Sequence, residues 1–176
     1  RLQRALENDS AYLKAVESGD NETAQRMVDE AAKAAGYTSG PWYHSTNKDF
    51  NTIERSSLGN YGPGIYLTNN KKAALDRAKA SERISGGAAR VLEVYTKFTP
   101  DQNGFEFSPR ESKGDRWLKL VDSNQIKLRD PIIRDVDGNV IPLSQRFQSE
   151  NPDIRYQRGL LEKIQTPSEM DALIQK

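Results

Sequence analysis

The chain has no cysteine, one histidine and two methionines among its 176 residues. The missing cysteines exclude disulfides, thiolate nucleophiles and cysteine-type zinc sites together, and a lone histidine without HxxxH-like spacing leaves no histidine-based metal site. No metal is expected. No apolar run approaches the length a membrane span needs, and no basic start is followed by an apolar stretch and a small-residue cleavage site, so no membrane role is expected. An excess of charge of either sign is also lacking: Lys+Arg 26 against Asp+Glu 25 leaves a net +1. No global field singles out a nucleic acid or a basic partner. With Arg1 in place of an initiator methionine, the sequence reads as part of a larger polypeptide.

What is present divides into three stretches: residues 1–36, a helical hairpin; 37–148, the body; and 149–176, a linker with a short helix. In the first, Asp9-Ser10 reads as the cap of a short helix through Val16, and Gly19 as its break. Asp20-Asn21 caps a second helix, whose apolar Ala24, Met27, Val28, Ala31, Ala32 and Ala35 recur at helical spacing until Gly36. From Pro41 the texture changes to short strands, expected at Trp42 to Ser45, Gly64 to Thr68, Arg90 to Phe98 and Trp117 to Val121, with a helix over Asn70 to Ser81. Asp137-Gly138 between Ile132-Ile133 and Val140-Ile141 predicts a late hairpin on a type I′ turn. Ser144 to Arg155 is polar, and Thr166-Pro167-Ser168-Glu169 has the form of a cap for a last helix. The fold class is α+β.

Two segments carry chemistry. Pro41-Trp42-Tyr43-His44-Ser45-Thr46 holds the only histidine, and Asn60-Tyr61-Gly62-Pro63-Gly64-Ile65-Tyr66-Leu67-Thr68 runs a glycine-rich turn into an aromatic strand. Histidine can donate and accept within one ring at neutral pH, and Gly-x-Gly lets backbone approach a ligand. Each alone has a plainer reading: a structural histidine, an ordinary turn, a half-buried strand tyrosine. Trp42 and Tyr43 suit either core packing or a pocket wall. The basic cluster Lys71, Lys72, Arg77, Lys79 and Arg83 reads most simply as a solvated helix face.

Together and in this order, the two segments resemble the first two motifs of the ADP-ribosyltransferase fold of the diphtheria-toxin and poly(ADP-ribose)-polymerase type. There a strand ending in His-Gly-Ser/Thr is followed by Gly-x-Gly-Ile-Tyr-Phe. The resemblance covers about Pro41 to Arg129, and its closest form is similar to the transferase-like domains of phage-related polyvalent proteins. It extends to Asn124-Gln125-Ile126-Lys127, Asp137 to Ser144 and Asn151-Pro152-Asp153-Ile154-Arg155-Tyr156.

The resemblance implies a split mixed β core with an N-terminal helical hairpin, and an NAD-dependent mono-ADP-ribosyltransferase, a glycosyltransferase that passes ADP-ribose to a protein or nucleic-acid acceptor. NAD would be the substrate, and the setting the bacterial cytoplasm, as a phage-related effector. His44 and Tyr66 would be the catalytic pair. His44 would hold the adenosine ribose, the backbone of Ser45 the carboxamide and Tyr66 the nicotinamide ring, with Thr46, Gly64 and Arg77 completing the NAD-binding set.

Three positions depart from the family pattern. Ser45 stands for a glycine, and Arg77 lies where relatives place a second tyrosine. The glutamate that opens the late strand gives way to Arg116 or Trp117, depending on register, leaving Glu111, Asp115 or Asp122 as carboxylates that could reach from a neighbouring turn. The alternative these departures favour is an inactive relative that binds NAD or ADP-ribose as a recognition module. A nucleic-acid binder on a similar fold is the third reading.

Overall fold

A computed structural model describes residues 2–47, 62–109, 114–135 and 137–147. The elements run α1 (Leu2–Glu17), α2 (Asn21–Ala34), β1 (Ser39–Thr46), β2 (Ile65–Thr68), α3 (Lys71–Ser85), β3 (Arg90–Thr96), β4 (Gly104–Phe107), β5 (Trp117–Leu120), β6 (Ile126–Leu128) and α4 (Leu143–Phe147). The α+β class holds. Asn60 and Tyr61 of the second motif, the Asn151 to Tyr156 string, Glu111 and the Thr166 cap lie outside the described residues.

Local chemistry accounts for most of these boundaries. Asp20 caps α2 by accepting from the Thr23 amide at 3.1 Å, and that bond holds its carboxyl below the usual carboxylate range. Asn70 caps α3 in the same way through the Ala73 amide at 3.1 Å, and Gly86 ends it at φ +78. α1 is longer than the sequence suggests. Asp9-Ser10 lies inside it, because the Asp9 carboxylate is directed at another element: it accepts from the Ser144 amide at 2.9 Å and from the Ser144 hydroxyl at the start of α4.

The six strands form one sheet in the order β4-β5-β2-β1-β3-β6. Every pair of named strands is antiparallel, where the resemblance implied a mixed core. The period-2 pattern of β3 sends Leu92 and Val94 to the buried face and Glu93 and Tyr95 to the other. Leu92 and Val94 join Trp42, Ile65, Leu67, Leu118, Leu120, Ile126 and Leu128 in the main apolar cluster. Burying each such side chain is worth about 1.5–3 kcal/mol.

A second cluster joins the helical hairpin to the body: Tyr12, Val28 and Ala32 pack with Tyr37, Leu143 and Phe147, and Tyr95 leans against them. Around it polar groups are paired. Arg129 reaches Asp29 at 3.3 Å and Glu93 at 3.0 Å, and the Tyr95 hydroxyl donates to Asp29 at 2.8 Å. Arg146, 2% exposed, donates to the carbonyls of Leu128 and Asp130, both at 2.9 Å.

The expected type I′ turn is not formed. Gly138 has positive φ (+86) but Asp137 does not, and the loop is closed instead by the Asp135 carboxylate, which accepts from the amides of Asp137 and Asn139, each at 2.9 Å. The flanking residues still pair, through an isolated antiparallel bridge of Arg134 with Val140 and the Ile141 amide on the Ile133 carbonyl at 2.8 Å. An acidic side chain offering two acceptor positions makes the wider loop competitive with the tight one.

Candidate functional site

His44 and Tyr66 meet where β1 and β2 part. The two strands share a single Cα pair, Tyr43 with Thr68, whereas β1 runs beside β3 through His44–Leu92, Ser45–Val91 and Thr46–Arg90. Continuing the β1–β2 register would set Ser45 opposite Tyr66. No such pair forms. The sheet is split at this point, and the gap is bridged by a side chain: His44 Nδ1 lies 3.1 Å from the Tyr66 carbonyl oxygen.

That contact fixes the tautomer. A carbonyl oxygen only accepts, so the bond assigns the proton to Nδ1 and leaves Nε2 an acceptor in the neutral ring. His44 is half-buried by area, with its ring withdrawn from solvent. Burial pushes its pKa below the ordinary 6.5, the bond to Tyr66 works the other way, and the nearby Arg90 charge adds to the lowering. At neutral pH the ring is therefore uncharged, suited to accept from a hydroxyl through Nε2.

The strand period separates the remaining side chains. Ser45 and Tyr43 point to the sheet face opposite His44 and Trp42. Trp42 is buried in the main cluster, its indole N–H donating to Ser39 at 2.9 Å. Tyr43 is half-buried on the face of Thr68 and Tyr66. The Tyr66 hydroxyl donates to the Gly62 carbonyl, folding the glycine turn back over its own strand.

The two glycines have different reasons to be glycine. Gly62 takes φ +91. A Cβ on Gly64 would lie 2.5 Å from Lys119 Cγ and 3.0 Å from the Leu120 carbonyl, so this glycine serves the close approach of β2 to β5. Thr46, at the end of β1, is half-buried beside Arg90. Just beyond it Asn47 anchors the strand end, its side-chain amide donating to Ser85 Oγ and the Gly86 carbonyl, both at 2.8 Å.

Pairing of β2 with β5 sets Tyr66 opposite Lys119 and Thr68 opposite Trp117, so Trp117 opens β5 on the Tyr66 face. Arg116 precedes the strand and pairs with Glu106 at 2.6 Å, with its guanidinium 5.5 Å from the ring centroid of Trp42, a core-face residue. Of the two residues, Trp117 and not Arg116 is the one on the Tyr66 face. The Arg77 guanidinium lies over the Trp117 ring, 5.1 Å from the centroid.

Among the described residues no carboxylate is a Cα partner of Tyr66; Glu93 shares its face, but on β3, two strands away, where it pairs with Arg129 at 3.0 Å. Asp115 accepts from Asn70 at 3.1 Å, past the far end of β2, and Glu106 is on the opposite face. Asp122 is exposed beyond the end of β5. Lys71, Lys72, Lys79 and Arg83 are exposed, as a solvated face requires.

The residues that sequence reasoning passed over are Phe105, Phe107 and Lys119. β4 brings Phe107 to within 6.2 Å of Tyr66, edge to face, and 6.4 Å of Trp117, stacked. The alternation Phe105-Glu106-Phe107 was the available signal, a short period-2 run. A cavity of about 660 Å3 lies elsewhere, between α1, α2 and α4, lined by Ala5, Asp9, Met27, Ala31 and Phe147 among others.

Comparison of the chain with protein-family models, with curated proteins and with solved structures finds no match. Among the described residues no helix is long and apolar enough to cross a membrane, and no group of three or more His, Cys, Asp or Glu side chains is placed to hold a metal ion.

Proposed function

We propose that this chain binds NAD at the mouth between β1 and β2 and acts as a slow NAD-dependent mono-ADP-ribosyltransferase. The observation that carries the reading is the splayed strand pair bridged by the His44–Tyr66 bond, which holds both motif residues at one opening. A neutral His44 accepts a ribose hydroxyl through Nε2, the Ser45 backbone meets the carboxamide, and the Tyr66 ring flanks nicotinamide. The bond from the ribose C1′ to the nicotinamide nitrogen breaks with its electron pair leaving on nicotinamide. A nucleophile of a protein or nucleic-acid acceptor bonds to C1′ and gives its proton to solvent. Such a transition state is oxocarbenium-like and gains most from a nearby negative charge. The carboxylate that shares the Tyr66 face, Glu93, stands two strands away and is paired with Arg129 at 3.0 Å, so turnover is slow and polymer elongation is not expected.

A second reading has its own observation. Trp117 under the Arg77 guanidinium gives this region an aromatic, cationic wall, which suits holding an anionic nucleotide more than generating a cation. On that reading the chain recognises NAD or ADP-ribose without turnover.

Isotope-labelled NAD, with and without bacterial lysate, separates the two when nicotinamide release and label transfer are followed beside His44→Ala and Tyr66→Ala. Release that falls about a hundredfold in both variants supports transfer. Saturable binding without release, lost in the variants, supports recognition. Absence of both binding and release sinks the two readings together.

A further inference from the structure

Beyond Tyr66 the sheet face continues across β5 to β4. The strand pairings lay out two rows on it. Phe105, Lys119 and Tyr66 are successive Cα partners across β4, β5 and β2, and Phe107, Trp117 and Thr68 form the next row. All four aromatic residues are half-buried, with Trp117 Nε1 itself buried, and the strands hold their orientation. Two of them carry cations: Lys119 Nζ lies 5.1 Å from the centroid of Phe105, and the exposed Arg77 lies 5.1 Å from that of Trp117.

Aromatic side chains fixed on a sheet face, with basic side chains among them, are the means by which proteins hold unpaired bases. Every base has a flat face to stack, and the cations meet the phosphates. An apolar protein partner would be a poor fit for a surface whose rings are partly covered by positive charge. A duplex would be a poor fit as well, because its bases are already stacked on one another.

We infer that the β4-β5-β2 face binds single-stranded nucleic acid by base stacking on Trp117, Phe107 and Phe105, with Arg77 and Lys119 against the backbone. The chain's near-zero net charge places this binding in the stacking surface more than in a general field, so a shallow salt dependence is expected. Because the strip is continuous with Tyr66, a strand held there lies beside the mouth. Resting on the transferase reading, this makes a nucleic acid the acceptor.

The test is fluorescence anisotropy of end-labelled twelve-nucleotide strands with the whole chain, in a poly-dT, a poly-U and a duplex arm. Saturable binding of either strand, at least tenfold weaker for the duplex, is expected. The poly-dT and poly-U arms distinguish DNA from RNA. Trp117→Ala should weaken binding roughly tenfold or more while Trp117→Phe retains most of it. Phe105→Ser, at the edge strand, provides a second variant should Trp117→Ala fail to fold. His44→Ala should keep strand binding and lose NAD binding, so failure of the NAD reading leaves this result intact. No saturable strand binding at low salt, equal affinity for the duplex, or indifference to both Trp117→Ala and Phe105→Ser would overturn the inference.

Discussion

The helical-hairpin side of the molecule and the β1–β2 mouth are built on opposite plans. On the hairpin side an apolar cluster is ringed by paired polar groups: Arg129 with Asp29 and Glu93, Asp9 with Ser144, and Arg146 with two carbonyls. At the mouth two strands share one Cα pair, and the His44–Tyr66 bond crosses the gap. Hydrogen bonds to charged groups in protected positions are costly to remove, whereas an unladdered strand end opens cheaply. The difference teaches that the paired polar contacts are concentrated away from the opening, which few bonds hold.

The comparison breaks most visibly at Arg146. Arg146→Ala removes a buried charged donor together with its bonds to the Leu128 and Asp130 carbonyls, with an expected loss of about 3 kcal/mol in urea denaturation. A loss under about 1 kcal/mol would mean the hairpin side is no stiffer than the mouth. Asp9→Ala removes the tie between α1 and α4, and about 1–2 kcal/mol should go with it in the same measurement.

The Gly64→Ala variant probes the mouth from its β5 side. Its methyl would press on Lys119 and the Leu120 carbonyl, so a destabilisation of about 1 kcal/mol is expected, read as a lowered Tm. An unchanged Tm would show that β2 can move off β5.

The smallest effect is a pH dependence at His44. Its folded pKa lies below the unfolded value of 6.5, so between the two the unfolded chain binds the extra proton. Stability is then full above about pH 6.5 and falls as pH drops towards the folded pKa. Thermal melts of wild type and His44→Gln between pH 7.5 and 5.5 should differ in slope, the variant being the flatter; parallel curves would remove His44 from the account.

Much of the scaffold could be read in the residues. The cap at Asp20, the break at Gly36 and the alternation of β3 are local, since capping and period-2 burial depend on neighbours a few residues away, whereas α3 runs to Ser85, four residues past the expected end. Asp9 misled because its side chain has a partner 135 positions on, and local reasoning assigns such an acceptor to its own helix. β4 and β6 went unanticipated because strands of four and three residues carry too few alternations to stand out, and their partners decide them. The register of β5 was beyond sequence for the same reason: a one-residue slip exchanges Arg116 and Trp117 between faces, and only pairing with β2 chooses.

By itself, then, the sequence determined that cysteine and histidine-cluster chemistry are excluded, that α2 starts at its Asp20 cap and stops before Gly36, and that His44 and Tyr66 belong to two strands. Tertiary structure alone decided that these strands part after one pair, that the His44 ring is held neutral across the gap, and that Trp117, Phe107 and Phe105 share a face with Tyr66. The physical reason is range. Caps and periodicity act within a few residues, but register, burial and the company a side chain keeps are set by segments far apart in the chain.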